Sequence, residues 1–536
     1  MIAGAAATVE EPRLGRATAL MTLGTVLSRV TGVARIGLLT WTLGVAETRM
    51  TDTYNLANST PNVLYELVLG GVITAVFVPI FVEILDGRKE GERDVSGIVN
   101  VCLVGLTVIA LLGILAAPLI ARFYSTSLSG AEAEAQQRAI TTLLRFFLPQ
   151  IPLYGLYFLG SAFMNVRRKF VLPMFTPIVN NLVLIAVLVA FAVLYGKVDL
   201  EHVTTAQLAL LGIGTTASVA PMGLLLLPSL RRLGYRWEWR FDRELWRRVA
   251  RLSGYAVGFV AANQIGFLAV QKIANETQGA FTAYTAAFTF FLLPVGLFVW
   301  SLTTALAPSL SRTALQPGRE GMDDVLSLAL RSTLFLIVPC AAGFLVLARP
   351  VVEVLLQHGV VTARSTDLVV SILSFLVLGL VQFALFQVLM RASYAMEDAR
   401  SPFLVNAVVI AVNIAVNLAM FSWIGPEGLA AGHALAYTVA VVLQGRVVAR
   451  ELPGLDLRRI GRSALKASAA AAGMAAVVFA LARLAEDLSD AASVVAVGGL
   501  VAVGAASYLW FASLLRVEEM QFVRSLVGDR FARSKA

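Results

Sequence analysis

The sequence contains few of the residues that build disulfide frameworks or metal centres. Of its 536 residues, only two are cysteine and three are histidine. Cys102 and Cys340 fall in different apolar stretches, and His202, His358 and His433 are scattered along the chain. None of them has a partner at the spacing of a disulfide framework or a zinc site. The composition therefore predicts neither a disulfide-stabilised domain nor a metal cofactor.

Charged residues are also scarce, at 14% of the chain, and most carboxylates fall between the apolar stretches. Gly196 and Lys197 lack the upstream glycine of a phosphate-binding loop, so no nucleotide-driven motor is expected. The net charge of +9 follows the connections between apolar stretches and does not collect on one face, which argues against a nucleic-acid partner. The sequence predicts no enzyme, and transport would draw on an ion gradient, the membrane potential or the substrate's own gradient.

Hydrophobic residues, in contrast, make up 58% of the chain, and the mean hydropathy is +0.78. They form about fourteen stretches, each near or above the ~20 residues that a helix needs to cross the hydrocarbon core. We therefore predict an all-α polytopic membrane protein. The predicted spans are 17–44, 54–84, 95–121, 139–164, 170–195, 203–230, 249–271, 281–311, 325–348, 366–391, 401–424, 428–446, 464–485 and 491–515.

Lys and Arg are concentrated in every second connection, beginning with the N-terminal tail. This is the positive-inside pattern, and it predicts that both termini are cytoplasmic. The richest basic connection, 231–248, follows span six and is expected to link two six-span halves. The predicted domains are an N-terminal six-helix lobe (17–230), a cytoplasmic linker (231–248), a C-terminal six-helix lobe (249–446), an additional two-helix segment (464–515) and a cytoplasmic tail (516–536).

Two short echoes support a duplication of the six-span unit, a common origin of transporter folds. Residues 74–79 (TAVFVP) resemble 303–308 (TTALAP) near the ends of spans two and eight. Residues 177–180 (PIVN) resemble 402–406 (PFLVN) in spans five and eleven. A parallel duplication with a two-span appendix is the simplest interpretation.

Arginines inside the predicted spans are the main candidate functional residues. Arg29 and Arg35 are six positions apart on span one, so they project about 120° from each other. A lone Arg at mid-bilayer costs roughly 2.5–3.5 kcal/mol on insertion scales, so it normally faces a partner or a water-filled cavity. Asp52 and Glu66, at the start of span two and within it, are the nearest partners in sequence. Buried ion pairs and a cationic cavity for an anionic ligand both remain open, and guanidinium groups suit a diphosphate because they bind its oxygens bidentately and stay charged.

Other polar residues inside the spans give weaker indications. Arg145 in span four could line the same cavity, whereas Arg331 and Arg391 lie near the predicted cytoplasmic interface, where snorkelling is the commoner role. Asn413 and Asn417 are one turn apart on span eleven. They could bind a small ion or polar ligand, or form hydrogen bonds between helices.

Several segments, taken in order, resemble the MurJ (MviN) family of lipid II flippases, and together they cover nearly the whole chain. They are SRVTGVAR (28–35), Thr51 and Asp52, Pro61 and Asn62, AVFVP (75–79), LRRLGYR (230–236), ANQI (262–265), VPCAAGFLVLARPVVEVLLQHG (338–359), RASYAMEDARSP (391–402) and GLAAGHALAY (428–437). The resemblance implies the multidrug/oligosaccharidyl-lipid/polysaccharide exporter fold, with two six-helix lobes around a central cavity. It also implies export of undecaprenyl-diphosphate-linked peptidoglycan precursor, lipid II, to the outer leaflet of the bacterial inner membrane.

The resemblance also implies roles for individual residues. Arg29, Arg35 and Asp52 match the family's functional first-span arginines and adjoining carboxylate. With Asn62, Glu66 and Arg145 they form the predicted substrate-binding set. The last two spans match those that form a groove for the lipid tail.

The chain departs from the family pattern at several charged positions. Tyr65 and Glu66 stand where a third cavity arginine is usual, and Thr289 stands where span eight has an arginine. Val270 and Asn417 replace acids linked to a sodium site, so the pattern does not predict sodium coupling, although coupling stays open. The departures leave three alternatives: a paralogue that moves another lipid-linked glycan, a non-transporting scaffold for cell-wall synthesis proteins, and a drug or cation antiporter of the same fold.

Overall fold

The computed structural model describes residues 11–67, 77–87, 90–240, 243–483 and 490–520. Within these ranges the regular structure is entirely helical, which confirms the all-α class. The helices are α1 (Glu11–Leu43), α2 (Met50–Tyr65), α3 (Val78–Gly87), α4 (Gly91–Tyr124), α5 (Gly130–Phe147), α6 (Gln150–Val166), α7 (Val171–Tyr195), α8 (Thr205–Leu224), α9 (Leu227–Arg232), α10 (Arg243–Ala274), α11 (Ala280–Pro294), α12 (Trp300–Ala314), α13 (Met322–Leu356), α14 (Ala363–Val377), α15 (Leu380–Ala395), α16 (Arg400–Ile424), α17 (Glu427–Glu451), α18 (Leu457–Arg483) and α19 (Asp490–Leu514). Most of the predicted tail, 521–536, lies outside the described residues.

Most of these helices are suited to a bilayer, where every backbone polar group must be satisfied within the segment. Among the described residues, eleven helical runs are long and apolar enough to cross a membrane, and the pair α14 and α15, bent by 47°, would make twelve. These runs fall on predicted spans three to fourteen. Spans one and two correspond to α1 and to α2 with α3, and residues 68–76 of span two lie outside the described residues. The polytopic membrane class is therefore confirmed.

A change of helix type occurs at the same place in both halves of the chain. The α-helix of α2 ends at Tyr65 and passes into a π turn at Glu66. The α-helix of α11 ends at Pro294 and passes into the π-helix Val295–Val299. The two breaks are about 230 residues apart, which is the spacing expected of a duplicated unit. Such π turns inside α-helices occur frequently at functional sites.

The turns before and after α7 and α16 repeat with the same spacing. Arg168 and Glu397 lie three residues before these helices, and both have a left-handed backbone, with φ values of 56° and 62°. Each helix has 25 residues and ends before a glycine of positive φ, 62° at Gly196 and 72° at Gly425. The identical lengths and turns support the duplication.

This spacing also fixes the register of the two sequence echoes. It pairs Pro79 with Pro308, as the first echo predicts, and Pro173 with Pro402. The second echo, which pairs Pro177 with Pro402, is therefore wrong by about one helical turn. The proline nearest the start of each helix is the equivalent one.

The chain forms two compact units, and their boundary differs from the predicted linker. The first unit ends at Thr282 and also includes Gly359–Val361, while the second contains Ala283–His358 and the chain from Thr362. The first unit thus contains α10, which the sequence assigns to the C-terminal lobe. The five domain bounds given above stay a prediction, because they follow the repeat and the charge pattern and not the density of contacts.

The predicted linker is fixed to the start of α4 within the first unit. The Asn100 amide donates hydrogen bonds to the backbone oxygens of Arg236 and Glu238, at 3.1 Å and 2.8 Å. Arg240 pairs with Glu90 at 2.8 Å and with Asp94 at 3.0 Å. The hydrogen bond from Arg240 and the positive charge of the nearby Arg93 lower the pKa of the Glu90 carboxyl, because both arginines stabilise its ionised form. The described part of the linker is therefore held against the start of α4.

Candidate substrate-binding site

The first helix holds both predicted arginines and packs along α7. The Asn181 amide donates hydrogen bonds to Thr31 Oγ1 at 3.0 Å and to the backbone oxygen of Ser28 at 3.3 Å. Arg29 is exposed, and Arg35 is half-buried. The contact with α7 therefore fixes α1 at the level of the arginines.

Arg35 lies beside two tyrosines of the first unit. It interacts electrostatically with Tyr54 of α2 and with Tyr154 of α6. The Tyr54 hydroxyl lies 2.8 Å from Thr215 Oγ1, and its ring stands edge-on to Phe147 with centroids 5.5 Å apart. Among the described residues, Arg35 has no carboxylate within ion-pair distance. Its charge is therefore available to an anionic ligand.

Glu66 lies at the end of α2, next to a group of aromatic side chains formed by Tyr65, Tyr154 and Phe158. Its carboxylate is exposed and accepts a 2.5 Å hydrogen bond from Gln264 Nε2 of α10. Tyr65, the preceding residue, stacks on Phe158 with centroids 4.8 Å apart and lies 5.9 Å from Tyr154. The structure thus brings Arg35 and Glu66 near the same tyrosines, Tyr65 and Tyr154, and among the described residues no ion pair joins them.

Asp52 occupies a different environment from the one predicted for a substrate ligand. Its side chain is fully buried and accepts three hydrogen bonds, from the backbone N–H groups of Gly279 (2.6 Å) and Thr282 (2.9 Å) and from Thr282 Oγ1 (2.6 Å). These donors belong to the turn that leads into α11, where unpaired N–H groups favour an anion. In this conformation Asp52 holds that turn against α2 and has no exposed surface for a ligand.

Asn62 and Arg145 are not brought together with the arginine pair by any described contact. Asn62 is half-buried, and its amide lies 3.5 Å from the backbone oxygen of Asn58 in its own helix. Arg145 is exposed on α5, between the buried Leu144 and the half-buried Phe146. Their role in substrate binding stays a prediction.

A buried polar network between four helices of the first unit was not predicted from the sequence. The Asn275 amide donates to Gln136 Oε1 and to the backbone oxygen of Tyr124, at 3.0 Å and 2.9 Å. The Tyr124 hydroxyl donates to Gln271 Oε1 at 2.9 Å, and Gln271 Nε2 donates to Ser59 Oγ at 2.5 Å. The network connects α2, α4, α5 and α10, so it holds Gln264 of α10 in place beside Glu66. The spacing of Gln264, Gln271 and Asn275, seven and then four positions, was the available signal, because it forms one polar face on a helix.

Arg49 is a second residue that the sequence analysis missed. Its guanidinium Nε lies 2.6 Å from Glu132, and Nη1 donates to the backbone oxygen of Asn275 at 2.7 Å. Arg49 is only 8% exposed. It therefore fixes the start of α2 to α5 and to the end of α10.

In the second unit, Asn413 and Asn417 contact each other at 3.1 Å and are both buried. The Asn417 amide packs directly against Gly432 of α17, where a Cβ atom would come within 1.9 Å of its Oδ1. The hydrogen bond lies within α16 and the contact with Gly432 is close packing, so hydrogen bonding between helices stays a prediction. The ion-binding role stays a prediction.

The prediction that Arg331 of α13 snorkels to the membrane interface is wrong. Arg331 is 7% exposed, and its Nη1 donates to Glu519 at 2.6 Å and to Glu518 at 2.8 Å. Glu519 is also buried and accepts a 3.0 Å hydrogen bond from Ser463 of α18. Glu518 is half-exposed, and its hydrogen bond to Arg459 lowers the pKa of its carboxyl, with a further contribution from Arg331. We call these residues the C-terminal clamp.

Within the described ranges, no group of three or more His, Cys, Asp or Glu residues is placed to hold a metal ion. The buried His433 is surrounded by aromatic rings, with Phe288, Phe291, Phe383 and Tyr437 at centroid distances of 4.6–5.9 Å. It therefore acts as part of the core of the second unit.

Comparison with known sequences points to one family. The sequence model described as lipid II flippase MurJ matches residues 42–495. A probable lipid II flippase MurJ of Rhizobium meliloti (strain 1021) is 28% identical over 506 residues, covering 90% of both chains. The corresponding protein of Vibrio cholerae serotype O1 is 26% identical over 526 residues, covering 94% of this chain and 97% of its own length.

Solved structures agree on the fold. A lipid II flippase MurJ in an inward closed conformation aligns with a TM-score of 0.75 at 22% identity, covering 95% of this chain and 99% of that one. An inward-facing multidrug resistance MATE family transporter of the MOP superfamily aligns with a TM-score of 0.63 at 12% identity, covering 79% and 95%. At these identities the similarity establishes the fold alone.

The family match covers well over half of the sequence, and the relatives are similar from end to end. The family consists of transporters, and its apolar helices place the protein in the bacterial inner membrane as a multi-pass protein. The chain belongs to the lipid II flippase MurJ family.

Proposed function

We propose that this protein moves lipid II, the undecaprenyl-diphosphate-linked peptidoglycan precursor, from the inner to the outer leaflet by alternating access. The observation that carries the proposal is the family match over residues 42–495. Two relatives that are named as probable lipid II flippases are similar over at least 90% of this chain. The drug-antiporter and scaffold alternatives have no comparable support.

In this proposal Arg29 and Arg35 bind the diphosphate while the polyprenyl tail stays in lipid. The barrier to flipping is the polar headgroup, because an unpaired charge in hydrocarbon is expensive. Arg35 is half-buried beside tyrosine rings and lacks an ion-pair partner among the described residues, so its guanidinium can bind phosphate oxygens bidentately. The membrane potential would assist, since outward movement of an anion from a negative interior gains about 2.3 kcal/mol per charge per 100 mV.

We further propose fourteen spans with both termini in the cytoplasm. Up to twelve spans satisfy length and composition in the described residues. The helix α1 and the pair α2 and α3 supply two more, and the concentration of Lys and Arg in alternate connections supports the orientation. Sodium coupling is left out of the proposal, because Val270 and Asn417 have no carboxylate to offer a cation.

The function is tested by depleting the protein in cells and labelling lipid-linked precursors in each leaflet. We expect lipid II to accumulate on the inner side, and complementation with the intact protein to restore export. A variant with Arg35→Glu should fold but fail to complement, because a carboxylate repels the diphosphate. Arg138→Glu is the matched control, since Arg138 lies exposed on α5 and pairs only across one helical turn with Glu134.

An unchanged leaflet distribution after depletion would contradict the flippase function. Export by the folded Arg35→Glu variant at the intact protein's rate would contradict the assigned site and leave the function standing. Accumulation of a different polyprenyl-diphosphate glycan would identify the paralogue alternative.

A further inference from the structure

Glu66 is a carboxylate that the proposed function does not use. It is exposed at the point where α2 changes into a π turn, and apolar residues follow it in the sequence. An ionised carboxylate in contact with hydrocarbon is costly, so Glu66 must face water or a polar ligand. Helix interruptions within membrane spans commonly form substrate or ion sites.

The carboxylate is held in a defined position by neutral groups. Gln264 of α10, which is 8% exposed, donates to Oε2, and the neighbouring Tyr65 ring is fixed by stacking on Phe158. An amide does not neutralise the charge of a carboxylate. Among the described residues, no positively charged side chain pairs with Glu66, so its carboxylate can accept further hydrogen bonds from a ligand.

Arg35 supplies a positive charge near the tyrosines of the same unit. Tyr154 interacts electrostatically with Arg35, and its ring centroid lies 5.9 Å from that of Tyr65, the residue before Glu66. In the part of the chain that the structure describes, no ion pair joins Arg35 to Glu66. The site thus holds two separate charges of opposite sign, an arrangement complementary to a ligand that carries both an anion and a cation.

We propose that Glu66 forms a subsite for a primary ammonium on the headgroup of the same lipid-linked diphosphate whose phosphates bind Arg35. The inference rests on the proposed function and specifies the class of substrate. An ammonium has three N–H donors and would form charge-assisted hydrogen bonds with Glu66. A substrate without the ammonium leaves the carboxylate unpaired, which makes Glu66 a specificity-determining residue.

The contact with Gln264 favours an ammonium over a metal cation. Gln264 presents its N–H₂ group to Glu66, so the carboxylate already accepts one N–H donor and is suited to accept more. A hard metal cation requires several oxygen ligands converging on one point. Among the described residues, no group of three or more His, Cys, Asp or Glu side chains that includes Glu66 could hold such a cation.

The test uses purified protein in liposomes and two synthetic polyprenyl-diphosphate glycans that differ in one group, a free primary amine or the same amine acetylated. We expect the intact protein to flip the free-amine substrate about tenfold faster under subsaturating conditions. Glu66→Gln keeps the side-chain shape and an acceptor for Gln264 but removes the charge. It should flip both substrates at similar rates, close to that of the acetylated substrate in the intact protein.

Glu134→Gln on α5 is the control for loss of a carboxylate, because Glu134 is 75% exposed and distant in sequence from the site. It should keep the tenfold preference. Equal rates for both substrates with the intact protein would overturn the subsite and leave the flippase function intact. Failure of the intact protein to flip either substrate would overturn both proposals, and a preference that persists in Glu66→Gln would place the ammonium elsewhere.

Discussion

The C-terminal clamp provides a quantitative test, because two adjacent glutamates contact the same arginine in different environments. Arg331 donates to Glu519 at 2.6 Å and to Glu518 at 2.8 Å. The Glu519 side chain is 2% exposed, whereas that of Glu518 is 52% exposed. Exposed ion pairs contribute about 0–1 kcal/mol, while breaking a buried pair costs about 3–5 kcal/mol because it leaves a buried charge uncompensated.

The expected free energies of unfolding of the second unit follow from these environments. Arg331→Met leaves Glu519 buried with only Ser463 as a partner and should cost about 3–5 kcal/mol. Glu519→Gln leaves Arg331 with the charge of Glu518, so the cost should fall to about 2–3 kcal/mol. Glu518→Gln, the matched control, should cost less than about 1 kcal/mol.

The double variant Arg331→Met with Glu519→Gln measures the interaction between the two residues apart from the effect of each single substitution. Because both buried charges are removed together, its stability should be close to that of the intact protein, and the cycle should be strongly non-additive. Denaturant titration in mixed detergent micelles measures these differences. Equal losses for Glu518→Gln and Glu519→Gln, or additive single and double effects, would refute the assignment of the clamp as a buried ion pair.

Three further predictions follow from described contacts. Asp52→Asn should lower the thermal unfolding temperature, at a cost of about 1–2 kcal/mol, because a neutral amide replaces the carboxylate that three N–H and O–H donors surround. Gly428→Ala should cost about 1–3 kcal/mol, since its Cβ would lie 2.5 Å from the backbone of Met420, whereas Gly498→Ala meets open space and should leave unfolding within about 1 kcal/mol. The lowered pKa of Glu518 means that its ion pairs contribute fully above its usual value of 4.5 and are lost as pH falls through the lower value in the fold. Unfolding temperatures between pH 5 and 3 should therefore decline less in Glu518→Gln, by an amount worth under about 1 kcal/mol after solvent screening.

The membrane helices were predictable because their signal is local. Each predicted span from three to fourteen falls on a helical run that is long and apolar enough to cross a bilayer. The break of α2 at Glu66 was not predictable in the same way. The duplicated π turn after Pro294 becomes informative only once the register of the repeat is known.

Candidate site residues could be named from the sequence, but their partners could not. Asp52 was interpreted as a substrate ligand because it matches the family's carboxylate next to the first-span arginines. Its three hydrogen-bond donors come from a turn more than 200 residues away. Arg331 was interpreted as an interfacial anchor, yet it is buried and donates a hydrogen bond to Glu519, which lies 188 residues further along the chain. Pairings of this kind depend on tertiary packing, which no periodicity of apolar residues encodes.

The partners in turn identify which charges are available for function. Arg49, Asp52 and Arg331 are buried, and each makes hydrogen bonds or ion pairs that hold helices together. Arg35 and Glu66 differ, because Arg35 is bordered by tyrosine rings and Glu66 is bonded to a neutral amide. A charge kept without a counter-ion inside a membrane protein costs stability unless a ligand or water supplies what is missing. The same stability measurements that define the clamp therefore test the site: neutralising Glu66 should leave the free energy of unfolding unchanged or raise it, whereas neutralising Glu519 should lower it.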